Sequence, residues 1–178
     1  MIILGVDPGT IKTGYGIIKF QSNLLTPVAY GTVQLGKFKS LPEKLESIYD
    51  TLDSIIKQYH PDEFSIETAF YGKNVQSALK IGYARGVSML VAIHNKIQPG
   101  EYSPREIKKA VVGSGAASKE QVNYMIKSIL NLKKYDLKFD ESDALAAAVC
   151  HAFRLKTPAN RSKNWKSFVE AFPERIIG

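Results

Sequence analysis

The sequence of 178 residues contains one cysteine, no long apolar run and no repeated or low-complexity segment. A single thiol, Cys150, excludes an internal disulfide and a metal site built from several cysteines. It lies in an alanine-rich stretch, where we expect a buried thiol that packs as a small hydrophobic group. The N-terminal residues 1–6 lack a basic lead-in and run directly into Asp-Pro-Gly. We therefore predict no signal peptide and no membrane-spanning segment, and expect a soluble, cytoplasmic protein.

Charge is unevenly distributed along the chain, although the net charge is only +7. Residues 41–67 contain two basic and seven acidic side chains, whereas residues 73–109 contain seven basic and two acidic ones. Residues 154–178 contain six basic and two acidic side chains. Such segregation indicates one basic face that attracts phosphate backbones. A lysine-rich surface that serves solubility is the alternative, so charge alone favours nucleic-acid binding only weakly.

Hydrophobic patterning predicts an α/β fold with a mixed, five-stranded sheet flanked by helices. The first three strands are separated by short turns, which favours antiparallel hairpins, and the later strands alternate with helices. The predicted strands are 2–7, 14–20, 28–35, 64–67 and a short one near 101–103. The predicted helices are 41–59, 74–95, one that begins at Pro104, 119–132 and 141–155.

Local signals mark the start and the end of the predicted helix 41–59. The run from Ser40 to Glu43 has the pattern of a capping box, and His60-Pro61 stops the helix that follows it. Gly82 and Gly86 lie one turn apart inside the second helix. Because glycine inside a helix costs stability, we expect these two to permit close packing on the sheet or on another helix.

Two of the predicted strands end on a carboxylate. Asp7 ends a wholly apolar strand, at the carboxyl edge where α/β sheets place their ligands. An aspartate that merely caps the Asp-Pro-Gly turn is slightly favoured for Asp7 taken alone. Glu67 ends the strand 64–67, and glutamate is a poor turn former. A carboxylate on a central strand is costly unless it is paired or binds a cation, so a functional role is favoured for Glu67 over a structural one.

Asp140 and Asp143 are three residues apart at the start of an apolar helix, which places them on one helical face. Helix capping is a strong alternative explanation for both. Taken together, the four acids offer hard oxygen ligands, which suit Mg²⁺ or Mn²⁺ rather than zinc. Two such ions can promote phosphodiester hydrolysis. The histidines show no ligand spacing, and we interpret them as structural; they are His60, His94 and His151.

Several blocks of the chain resemble the RuvC family of bacterial Holliday-junction resolvases, in the order of that family. The resemblance spans residues 1–153 and is highly specific because the blocks occur jointly. The blocks are Ile3–Thr10 with Thr13–Gly16, Ile66-Glu67 with Phe70, Lys73-Asn74 with Ser77–Lys80, Ala84–Gly86, Val111–Gly115 and Asp140–Ala146.

The resemblance implies an RNase H-like fold, a homodimer and Mg²⁺-dependent paired nicks across a four-way DNA junction. Two Mg²⁺ ions per site are implied, for which Mn²⁺ can substitute. By position, the family's catalytic and metal-binding carboxylates match Asp7, Glu67, Asp140 and Asp143. The aromatic residue that stacks on an unpaired base matches Phe70, and the DNA-contacting lysines match Lys108 and Lys119. The family also acts beside the branch-migration proteins RuvA and RuvB.

Some features depart from the resemblance or leave other interpretations open. Ser103-Pro104 is outside the family pattern and is expected simply to start a helix. We predict a nuclease domain over 1–155 and a basic tail of unassigned role over 156–178, for which an accessory DNA contact and dimer packing both fit. The run Asp7-x-Gly9 also resembles a phosphate loop of actin-like ATPases and sugar kinases, but the chain is too short for their two lobes. A non-catalytic DNA-binding module is disfavoured because all four acids are retained.

Overall fold

The structure, a computed structural model, describes residues 1–68, 75–132 and 136–156. Every strand and helix that the sequence predicts is present in these residues, in the predicted order. The strands are β1 (Ile2–Asp7), β2 (Lys12–Gln21), β3 (Leu24–Gln34), β4 (Glu63–Glu67) and β5 (Pro99–Tyr102). The helices are α1 (Leu41–Tyr59), α2 (Val75–His94), α3 (Pro104–Val112), α4 (Lys119–Ile129) and α5 (Phe139–Lys156).

The strands form one mixed sheet in the order β3-β2-β1-β4-β5. β2 is antiparallel to both β1 and β3, because short turns join these three strands. β4 is parallel to β1 and to β5, since the crossovers to β4 and β5 contain α1 and α2. The predicted α/β class with a mixed, five-stranded sheet is therefore confirmed, as is the RNase H-like architecture that the resemblance implied.

The third strand begins earlier than the sequence predicts, at Leu24 rather than at residue 28. Pro27 lies inside it, and a proline usually argues against a strand. β3 is at the edge of the sheet, where a missing backbone N–H is tolerated. The register between β2 and β3 also shifts beside this proline, between Ile17 and Ile18. An edge position combined with a bulge thus accommodates a proline inside this strand.

Helices cover both faces of the sheet. Along β1, Ile3 packs into a core shared with α3, α4 and α5, whereas Leu4 and Val6 pack into a second core shared with α1 and α2. All three side chains are fully buried. β1 therefore lies at the centre of a three-layer arrangement, and whatever projects from its end is held on a rigid support.

The predicted capping box of α1 is confirmed. The Ser40 hydroxyl accepts the Glu43 N–H at 3.4 Å, and the Glu43 carboxylate accepts the Ser40 N–H at 3.0 Å. Ser103 and Glu106 form the same motif at α3, with Pro104 in its first turn as expected. Both helices therefore begin where the sequence predicts.

Helix α5 lies unusually close to the sheet, and glycines allow it to do so. A Cβ atom at Gly5 would lie 2.1 Å from the Ala144 carbonyl oxygen, and one at Gly14 would lie 2.1 Å from the Asp140 carbonyl oxygen. Any larger residue at these positions would push α5 away from β1 and β2. These two contacts fix the N-terminal half of α5 over the end of β1.

The expectation for Gly82 and Gly86 is wrong for contacts within the described part of this chain. A Cβ atom at either position would meet none of the described residues within 4 Å, so neither glycine permits a close contact with the sheet or with another helix there. Both are exposed, whereas the buried side of α2 is formed by Ala84, Ser88, Val91 and Ala92. The two glycines therefore lie on the outward face of α2.

None of the helices in the described residues is long and apolar enough to cross a bilayer. Residues 157–178 lie outside the described residues. The division into a nuclease domain over 1–155 and a tail over 156–178 therefore stays a prediction.

Gly5→Ala is expected to destabilise the protein by about 1–3 kcal/mol, because the added methyl group overlaps the backbone of α5. Gly36→Ala is the matched control, since a Cβ atom there meets nothing within 4 Å. Urea unfolding of the two variants measures the difference. Equal stability of Gly5→Ala and Gly36→Ala would show that α5 does not lie this close to β1.

Candidate active site

Two neighbouring parallel strands end on carboxylates at the same edge of the sheet. Asp7 is the last residue of β1 and Glu67 is the last residue of β4. Val6 lies opposite Ile66 in the register of these strands, so the two acids that follow leave the sheet side by side. The carboxyl edge of such a sheet is the usual position of a ligand site in α/β proteins.

The turn after Asp7 is held by a buried threonine. The Thr13 hydroxyl donates to the Gly9 carbonyl oxygen at 2.8 Å and lies 3.3 Å from the Gly9 N–H, and Thr13 is fully buried. The turn therefore has its own stabilising side chain. The alternative in which Asp7 serves only to cap its turn loses its main support.

Asp140 and Asp143 lie one turn apart near the start of α5. Glu141, between them, is buried and its carboxylate accepts the Lys138 N–H at 3.0 Å, so Glu141 is the acid that satisfies the start of this helix. The capping explanation thus applies to Glu141. It leaves the carboxylates of Asp140 and Asp143 for other contacts.

Lysines from two other elements approach this pair. The Lys119 ammonium is 2.9 Å from the Asp143 carboxylate, and the Lys12 ammonium is 3.9 Å from the Asp140 carboxylate. The Asp143 side chain is only 15% exposed, whereas the Lys119 side chain is 63% exposed. Lys119 therefore reaches from solvent into the site, and its long aliphatic stem allows it to do so.

The two strand-end carboxylates are affected electrostatically by each other or by the acids of α5. Burial, followed by repulsion from Asp143 and Asp140, raises the pKa of Asp7 to about 7, although Lys119 opposes this. Burial, followed by repulsion from Asp7 and Asp143, raises the pKa of Glu67 to about 8. Such repulsion requires short separations. Asp7, Glu67, Asp140 and Asp143 thus share one region, at the end of β1 and under the start of α5.

Lys108 also belongs to this region. Its charge and that of Lys119 both lower the pKa of Glu67, although burial and the neighbouring acids outweigh them. Lys108 lies on α3 and Lys119 is the first residue of α4, and both of these helices contact α5. Phe70 lies outside the described residues.

The chemistry of this group fits a divalent cation. Its donors are carboxylate oxygens, and burial and mutual repulsion make ionisation of Asp7 and Glu67 costly, a cost that a hard cation would relieve. In the part of the chain that the structure describes, no three Asp, Glu, His or Cys side chains are arranged as a ready ligand cage. Two of the four carboxylates are instead turned to Lys12 and Lys119.

Lys12 is a site residue that was not predicted from the sequence. It is the first residue of β2 and follows the turn that begins at Asp7. Its position, five residues after Asp7 and across a tight turn, was a usable signal, because a hairpin returns the chain to the same sheet edge. Its partner Asp140 could not be inferred from sequence, because α5 reaches β2 only through tertiary packing.

The structure agrees with a structural role for His151 and with a buried thiol at Cys150. His151 is buried, with Nδ1 2.8 Å from the Tyr102 hydroxyl and Nε2 3.1 Å from the Glu63 carboxylate. Glu63 begins β4, whereas Glu67 ends it, so this network lies at the far end of the strand. Cys150 is 1% exposed, and burial raises the pKa of its thiol to about 11. It packs as a hydrophobic group.

Comparison with known proteins points to one family. The family model described as "Crossover junction endodeoxyribonuclease RuvC" matches residues 3–151. A protein of that name from Chloroherpeton thalassium is 41% identical over 99% of this chain and 100% of its own length. One from Geobacter sp. strain M21 is 49% identical over 85% of this chain and 92% of its own length.

A solved structure agrees with these relatives. Thermus thermophilus RuvC in complex with Holliday junction substrate superposes with a TM-score of 0.81 at 27% identity. The match covers 88% of this chain and 95% of the Thermus chain.

Stability without metal is expected to fall as the pH rises from about 4 to about 8. The folded protein holds protons on Asp7 and Glu67 up to pH values near 7 and 8, whereas the unfolded chain releases them near its ordinary values of 3.8 and 4.5. Ionisation therefore costs free energy only in the folded state. Thermal unfolding in EDTA between pH 5 and 8 measures this slope.

Asp7→Asn removes one of the repelling charges and should flatten that slope and raise the Tm at pH 8, by about 2–4 °C for each kcal/mol relieved. Asp50→Asn, at an exposed acid on α1, is the control and should keep the wild-type slope. A wild-type protein whose Tm rises over this pH range would contradict the placement of the acids.

Proposed function

The chain belongs to the RuvC family of crossover junction endodeoxyribonucleases, and from this we propose that it resolves four-way DNA junctions by paired, metal-dependent cleavage. Metal dependence is a property of nucleases in this family. The observation that carries the proposal is the convergence of four carboxylates, from β1, β4 and α5, on one sheet edge with lysines beside them.

We assign the metal-holding role to Asp7, Glu67, Asp140 and Asp143, and we propose Mg²⁺ as the ion, two per site, with Mn²⁺ able to substitute. Support comes from the all-oxygen donor set and from the high cost of ionising the two strand-end acids when no cation is bound. Divalent ions bound there would make a water ligand more acidic and stabilise charge on the leaving oxygen. The strands hold Asp7 and Glu67 rigidly, and α5 holds the other two.

The reaction is hydrolysis of a phosphodiester. A water oxygen forms a bond to phosphorus while the bond from phosphorus to the 3′ oxygen breaks. The electron pair stays on the 3′ oxygen, which takes up a proton, and the products are a 3′-hydroxyl and a 5′-phosphate. Lys108 and Lys119 are proposed to contact the DNA, and the exposed stem of Lys119 lets its ammonium face a phosphate as well as Asp143.

For Phe70 we propose the role that the resemblance implies, which is to stack on an unpaired base at the junction. It follows Glu67 by three residues, which keeps it near the end of β4 along the chain. Stacking on an aromatic side chain is worth about 1–3 kcal/mol per base.

We also propose that the protein is a homodimer and that the outward face of α2 forms its interface. Apolar side chains recur along this face at helical spacing and are 43–71% exposed; they are Val75, Leu79, Tyr83, Leu90 and Ile93. Gly82 and Gly86 lie among them with open space beside each. An apolar stripe of this length is unusual on a monomer surface, and a two-fold axis would bury it against its own copy.

A symmetric dimer presents two equivalent sites, which suits paired cuts on opposite strands of a junction. Action beside RuvA and RuvB, which the resemblance to the family implies, and a cytoplasmic location complete the proposal.

The proposed activity is tested on a synthetic four-way junction and on a linear duplex of the same composition, each with and without Mg²⁺. Symmetric nicks are expected on the junction alone and only with Mg²⁺, and mapping of labelled ends measures them. Cleavage of both substrates at equal rates, or ATP turnover without nicking, would contradict the proposal.

Asp7→Asn should lower the rate of junction cleavage by about a thousandfold or more while leaving binding intact, since several kcal/mol of charge stabilisation are lost. Asp50→Asn should cleave at the wild-type rate. Near wild-type cleavage by Asp7→Asn would remove Asp7 from the catalytic set.

Leu79→Glu/Leu90→Glu places charges in the proposed interface and should convert the dimer to monomers that lose paired cutting. Leu24→Glu is the matched control, because Leu24 is 71% exposed on the hairpin between β2 and β3. Sedimentation velocity separates the two states. A dimer that persists in the double variant, or that is lost equally in the control, would contradict an interface on the outward face of α2.

A further inference from the structure

A basic cleft lies next to the carboxylates, on the side of the sheet away from Lys108 and Lys119. It is formed by the turn between β1 and β2, the first turn of α1 with the residue before its cap, and the first half of α2. Its volume is about 780 Å³ and it is open to solvent. Of the residues that line this cleft, the proposed function uses only Asp140.

Four ammonium groups line the cleft and one carboxylate faces them. The lysines are Lys12, Lys39, Lys44 and Lys80, and the acid is Asp140. Asp140 is already paired with Lys12 at 3.9 Å. The remaining three lysines come from two distant parts of the chain, the start of α1 and the first half of α2, so the fold brings together positive charge that is separated in the sequence. Like charges repel one another, and an anionic ligand is what offsets that cost.

The cleft is continuous with the proposed cleavage site, because Asp140 belongs to both. Lys12 and Lys44 approach from the β2 and α1 side, whereas Lys108 and Lys119 approach from α3 and α4. Basic groups therefore flank the carboxylates on two sides. A polyanion that runs through the site would meet lysines before and after the scissile phosphate.

We propose that this cleft binds the sugar–phosphate backbone of a junction arm, with Lys39, Lys44 and Lys80 contacting its phosphates. Open shape and multiple separated charges suit an extended backbone better than a small enclosed anion. Ile11, at the rim and 70% exposed, offers an apolar surface for a sugar ring. The assignment rests on the proposed function, because it takes the DNA to be the substrate that is cut.

The test compares Lys39→Ala/Lys44→Ala with wild type in junction binding, measured by fluorescence anisotropy in EDTA over a series of salt concentrations. Loss of two phosphate contacts should make the slope of log K against log salt shallower by about 1.8 and weaken the affinity at 0.1 M salt by about tenfold or more.

The matched control is Lys19→Ala/Lys57→Ala, which removes the same charge from exposed positions. Lys19 pairs with Ile2 at the opposite end of β1 from Asp7, and Lys57 lies about 20 Å farther along α1 than Lys44 at about 1.5 Å per residue. For this control variant, the slope of log K against log salt should equal that of wild type. Equal slopes for both double variants would overturn the proposal, whether the two are unchanged or shallower together.

A second measurement does not depend on affinity. Lys44→Cys can be labelled selectively with a photoreactive maleimide, because Cys150 is buried, and Lys57→Cys serves as its control. Crosslinks from position 44 to defined nucleotides near the cut, absent from position 57, are expected; crosslinks from neither position would overturn the assignment. A wild-type protein that binds no junction at all would instead refute the proposed function.

Discussion

The repulsion between carboxylates at the end of the central strand is the constraint on which the rest of the site depends. The parallel register of β1 and β4 sets Asp7 beside Glu67, and partial burial weakens the screening of their charges by water. Neither acid can move away, because both strands are fixed between two helical layers. The fold therefore stores an unfavourable interaction that a bound cation would relieve, which is a common arrangement at functional sites.

Helix α5 completes this site through its close contact with the sheet. Gly5 and Gly14 remove the side chains that would separate α5 from β1 and β2, and the contact brings Asp140 and Asp143 over the strand ends. Lys12 and Lys119 then pair with these two acids. The lysines partly balance the charge of the site, and the same ammonium groups lie where a phosphate backbone would need them.

Features that depend on residues close together in the chain could be predicted from the sequence, whereas contacts formed by tertiary packing could not. Capping at Ser40 and the strand-end positions of Asp7 and Glu67 follow from residues close together in the chain, and the structure agrees with them. The ion pair between Lys12 and Asp140 joins residues far apart in sequence, so no local pattern predicts it. Gly82 and Gly86 were misjudged for a related reason: a helical glycine indicates close approach, but not whether the neighbour belongs to the same chain.

The most direct test of this account is a carbon-13 NMR titration of the side-chain carboxyl groups, carried out in EDTA and again with Mg²⁺. The account predicts that Asp7 and Glu67 titrate near 7 and 8 without metal, and that Mg²⁺ shifts both titrations to much lower pH. Titration of both groups near their ordinary values of 3.8 and 4.5 in EDTA, with no change on addition of Mg²⁺, would contradict it.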